Sequence, residues 1–101
     1  MERTQPDPTD EALRRLIEQP SYGAQLLNFA ARLLNMDATA DMDDASLRRA
    51  MNIATDAVLK DLPEVVRDIA LQRARSHMPP LTGITRGEAA LRLRAAAGAL
   101  G

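Results

Sequence analysis

The 101-residue sequence predicts an all-α fold, a small single-domain bundle of four to five helices. Three observations predict it. Apolar residues recur at three- and four-residue spacings, and no stretch of four or more alternates in the manner of a half-buried strand. Helix-entry patterns, a capping residue followed three positions later by Glu, stand at 61–64 and 85–88. Firm stops separate the periodic stretches, at Pro20 and at residues 78–83 (MPPLTG). With Tyr22 and Phe29 as the only aromatics, the core must be made of Leu, Ile, Val, Met and many Ala, which favours closely packed helices over sheets.

The elements follow in order. Residues 1–8, with Pro6 and Pro8 and no periodicity, read as a disordered tail, leaving 9–101 as the helical domain. Thr9 or Asp10 caps a short helix over 11–19 with Leu13, Leu16 and Ile17 on one face, and Pro20 ends it. Ser21 caps the next helix, which runs to Asn35. Its polar residues Gln25, Asn28, Arg32 and Asn35 form one narrow stripe, so this helix is expected at the centre of the bundle. The loop DATADMDD follows, and Asp43 or Asp44 caps a helix over 45–60 whose apolar face is Leu47, Ala50, Met51, Ala54, Ala57 and Val58.

Asp61, with Pro63 in the first turn, opens a fourth stretch with a predicted buried stripe of Leu62, Val65, Val66, Ile69 and Ala70. Its end, residues 72–77, is almost wholly polar and is expected to project or fray. The last helix is capped by Thr85 and stapled by Ile84 and Ala89. It carries a small-residue seam of Ala89, Leu93, Ala96 and Leu100. Such a seam buries little area, so this helix is expected to dock either on the two helices before it or on a second chain.

Composition narrows the function. The 46% hydrophobic and 27% charged content is that of a globular chain of one domain. No cysteine is present, which excludes disulfides and thiolate chemistry. Residues 1–10 lack the basic and apolar segments of a signal peptide, and no apolar run approaches the roughly 20 residues that span a bilayer. A cytoplasmic protein without membrane association is the expectation, and twelve arginines against the single Lys60 suggest a GC-rich bacterial source. Charge is polarised. Residues 1–44 carry nine acids and four bases, whereas residues 45–101 carry five acids and nine bases.

Specific chemistry finds little support. If Asp37 opened a calcium loop, Met42 would replace its glycine and Arg48 its bidentate glutamate. His77 is the only histidine, in a basic helix end without partners for a metal or a triad. The glycines are scattered and form no phosphate loop. No enzyme, no metal and no cofactor are expected.

The run Thr85-Arg86-Gly87-Glu88-Ala89-Ala90-Leu91-Arg92-Leu93 resembles the first helix of helix-turn-helix and excisionase-like domains, whose pattern is T-x-x-E-A-A-x-x-L. The resemblance covers nine residues and implies DNA association through a turn and recognition helix beyond it; this sequence ends at Gly101. Nucleic-acid binding through the C-terminal arginines is therefore the alternative function. The first is a non-enzymatic protein-binding module, a regulator, adaptor or inhibitor, with a homodimer among the expected assemblies. Its expected partner contacts are Arg73, Arg75, Arg86, Leu91, Arg92, Leu93, Arg94 and Leu100.

Overall fold

The computed structural model describes residues 21–101, in which four helices follow one another: α1 (Tyr22–Asn35), α2 (Asp44–Val58), α3 (Glu64–Ser76) and α4 (Arg86–Leu100). The fold is an all-α bundle, as predicted. The tail expected at 1–8 and the helix expected at 11–19 lie outside the described residues. An isolated bridge between Asp41 and Thr85 is the only β pairing among the described residues. None of their helices is long and apolar enough to cross a membrane.

Three of the four helices begin where a side chain satisfies a free backbone N–H. The Ser21 hydroxyl accepts from Ala24 N at 3.1 Å, the Asp43 carboxylate from Ser46 N at 2.6 Å, and the Thr85 hydroxyl from Glu88 N at 3.2 Å. The expected entry at Asp61 is corrected. A turn from Leu59 O to Leu62 N carries the chain past Asp61, and α3 starts at Glu64 with Pro63 as a cap that donates and accepts nothing through its side chain. The second capping box is only half formed, because Glu88 reaches forward to Arg92 Nε at 3.5 Å.

α1 is central, as its thin polar stripe requires. Gly23, Ala24, Leu26, Leu27, Ala30, Ala31 and Leu34 are buried, and each of the other helices packs chiefly on α1. Direct contact among α2, α3 and α4 is slight. The expected docking of the last helix on its two predecessors is therefore corrected, since α4 lies along α1 more extensively than any other helix does. Small residues explain this: Ala89, Ala90 and Ala97 are buried beside Leu93, so the two backbones come close and α4 gains most of its helix packing from α1. Ala96 and Leu100, expected in the seam, are half-buried beside that line.

The loop between α1 and α2 is pinned to the start of α4. Met42 N donates to Ile84 O at 3.0 Å, Arg86 N to Ala40 O at 2.8 Å and Gly87 N to Ala38 O at 2.9 Å. At Gly87 an added Cβ would lie 3.0 Å from the Ala38 Cβ and 3.1 Å from its carbonyl oxygen, so glycine permits this close approach. The acidic loop is a structural tie in which Asp43 caps α2 and Asp37 pairs with Arg86.

α3 departs most from expectation. Its buried line is Ala70 and Ala74, with Arg67 and Leu71 half-buried beside them, whereas Val65 and Ile69 face solvent at 69% and 54% exposure. Of the predicted stripe Ala70 is buried as expected and Leu62 and Val66 are half-buried, while Val65 and Ile69 are turned outward. The reason is steric. Ala70 and Ala74 bring the α3 backbone against Gly23, where an added Cβ would lie 3.5 Å from Ala70 O and 3.6 Å from Ala74 N. Valine and isoleucine on that face would hold the helices apart. In α2 the buried line is Ser46, Ala50 and Ala54, and Ala57, expected inside, is exposed.

Candidate interaction surfaces

Because α2 and α3 each lean on α1 and scarcely on each other, a groove of about 440 Å³ opens between them. Leu47 and Met51 of α2, Leu71 of α3 and Met78 supply its apolar lining, and Arg48 and Arg75 stand on opposite walls. It runs on, through the shared Asp44, Leu47 and Met78, into a smaller hollow of about 200 Å³ bounded by Met42 and Leu81. Three of the five methionines thus line one channel. Unbranched thioether side chains adapt to varied apolar shapes, which suits a surface that receives another chain.

Neither the Arg48 nor the Arg75 guanidinium has a hydrogen-bond or ion-pair partner among the described residues. Two guanidinium groups flanking an apolar floor, with the single carboxylate of Asp44 at one end of the lining, attract a carboxylate on whatever enters. Thr55, also on the lining, donates its hydroxyl to Met51 O at 2.7 Å, so that hydroxyl is committed to its own helix.

The expected contacts fall into different environments. Leu93 is fully buried between α4 and α1, which corrects its assignment as a partner contact: of the three leucines expected to dock, this one is core. Leu100 is half-buried, with its Cδ1 3.4 Å from where a Gly23 Cβ would lie. Arg86 donates to Asp41 O at 3.2 Å and pairs with Asp37 at 3.4 Å, closing the loop tie from its side-chain end. Arg92 donates to Pro80 O at 2.8 Å and pairs with Glu88, so it braces the double-proline turn. Arg73, Arg94 and Leu91 are exposed, and Arg75 stands on the groove.

His77 caps α3, with Nδ1 3.1 Å from Arg73 O and 3.3 Å from Ser76 Oγ. Among the described residues no three His, Asp or Glu side chains gather as a metal would need. One carboxylate has a displaced titration. The hydrogen bonds from Ser46, side chain first and backbone N–H second, hold Asp43 below the usual aspartate range.

The surfaces that sequence reasoning missed are the groove and the outer side of α3. For the groove the available signal was Met42, Met51 and Met78, spread over three segments that only the fold brings together. The fold and these surfaces define a class: a small helical bundle with solvent-facing apolar surfaces flanked by charge. No family model, curated protein or solved structure matches the chain.

Proposed function

We propose that the chain is a small non-enzymatic protein-binding module, a regulator, adaptor or inhibitor, that receives a segment of its partner in the groove between α2 and α3. One observation carries this: an apolar, methionine-lined channel with unpaired Arg48 and Arg75 on its opposite walls. A helical segment with an apolar stripe and an acidic side chain fits that combination. This reading moves the binding surface from the C-terminal helix, whose Leu93 is spent on the core, while keeping Arg75 from the expected set.

The test is affinity capture from the native host's lysate with the full chain and with its Arg48→Glu/Arg75→Glu variant. Both positions are exposed, so the fold should survive the exchange. The expected result is a protein retained by the native chain and lost by the variant. Identical sets on both, or salt-sensitive nucleic acid in place of protein, would refute it.

A further inference from the structure

The outward side of α3 is patterned as strongly as the groove and lies away from Ala70 and Ala74. We infer that it is a second docking surface, which receives an amphipathic helix of a partner protein bearing a lysine or arginine row along one edge. Val65 and Ile69 stand one helical turn apart and exposed, with Leu62 and Val66 half-buried beside them. Glu64 and Asp68 form the neighbouring row, and Asp61 lies in the turn before it. None of these three carboxylates has an ion-pair partner among the described residues. A helix laid along Val65 and Ile69 sets its own flank against that acidic row, so a basic flank is attracted and an acidic one repelled.

Charge also disfavours the other occupants. In an antiparallel two-fold pairing of two copies, each edge of the helix meets its own counterpart, and carboxylates would face carboxylates. The chain's own residues 9–20 carry Asp10, Glu11 and Glu18 against Arg14 and Arg15, which supplies no basic excess.

The chain has no cysteine, so Gln72→Cys, exposed and in the row of Glu64 and Asp68, places a single thiol reporter beside the apolar rows of the 101-residue chain. The probes are two synthetic alanine-based helices with leucines at i, i+3, i+4 and i+7, one flanked by lysines and the other by glutamates. The lysine peptide should slow thiol labelling saturably and the glutamate peptide should not. Adding Val65→Ser/Ile69→Ser should abolish the protection. Adding Glu64→Lys/Asp68→Lys should weaken lysine-peptide binding about tenfold, the scale of a few rim charge contacts.

Circular dichroism would confirm that these surface variants remain helical. The groove variant Arg48→Glu/Arg75→Glu should leave the protection unchanged; its loss there would assign the peptide to the groove and overturn the inference. Equal protection by both peptides, or none, also overturns it. So does a thiol already protected in the free protein: independent of concentration it marks the chain's own N-terminal segment, and dependent on concentration a second copy.

Discussion

Leu91 and Leu93 stand two positions apart on α4 and make opposite predictions. Leu93 has no exposed surface, whereas Leu91 is 59% exposed. Leu93→Ala removes three buried carbons, each worth about 0.8 kcal/mol of transfer free energy, and leaves a cavity between α4 and α1 that rigid small neighbours cannot fill. The sum is about 3–4 kcal/mol. With a urea dependence of roughly 1 kcal/mol per molar for a domain of this size, the midpoint should fall by about 3 M. Leu91→Ala should stay within about 0.5 kcal/mol. Equilibrium urea unfolding followed by circular dichroism reads both. A loss below about 1 kcal/mol for Leu93→Ala would mean that α4 does not dock on α1, and the packing argument would fail.

Glycine positions separate space from propensity. At Gly98 nothing lies within 4 Å of an added Cβ, so Gly98→Ala should stabilise α4 by about 0.5–1 kcal/mol in the same unfolding assay. Gly87→Ala meets the Ala38 Cβ at 3.0 Å and carbonyl at 3.1 Å, and should instead destabilise, with faster amide exchange at Arg86 and Gly87 as the loop tie loosens. Asp43 predicts a pH effect. Its folded pKa lies below its unfolded value, so its contribution is present above about pH 4 and fades as pH falls through the folded value. Asp43→Asn keeps a capping side chain and should flatten that acid limb of the stability profile; an unchanged limb would remove Asp43 as its source.

The parts of the fold that the sequence made legible are those governed by local chemistry. Ser21, Asp43 and Thr85 cap where expected, and α1 ends at Asn35 with Asn28, Arg32 and Asn35 of its polar stripe outward and Gln25 half-buried. The centrality of α1 was legible too, because a helix apolar on most of its surface must touch several neighbours. What stayed hidden depends on distances between helices. In α3 two stripes share the helical period, Val65 with Ile69 and Ala70 with Ala74, and hydrophobicity alone ranks the first as core. In α4 the burial of Leu93 became visible only once α1 was in place. The groove could not be read at all, since its methionines come from segments whose meeting depends on α2 and α3 failing to pack together.

One packing choice underlies both proposed surfaces. Ala70 and Ala74 bring α3 close to Gly23, and that orientation turns Val65 and Ile69 outward while setting Leu71 and Arg75 on the groove wall. If close approach selects the face, enlarging it should undo the selection. Ala74 is fully buried, and Ala74→Leu adds three heavy atoms where the backbones of α1 and α3 nearly touch. Overpacking of this kind costs about 1–3 kcal/mol if α3 holds its orientation. If α3 rotates instead, Val65 and Ile69 gain burial that offsets part of the cost. A Gln72→Cys reporter separates the cases, because rotation changes its labelling rate and strain in place does not. Either result keeps Ala74 as the determinant of the α3 face; an unchanged urea midpoint with unchanged labelling would show that the small residues do not set it.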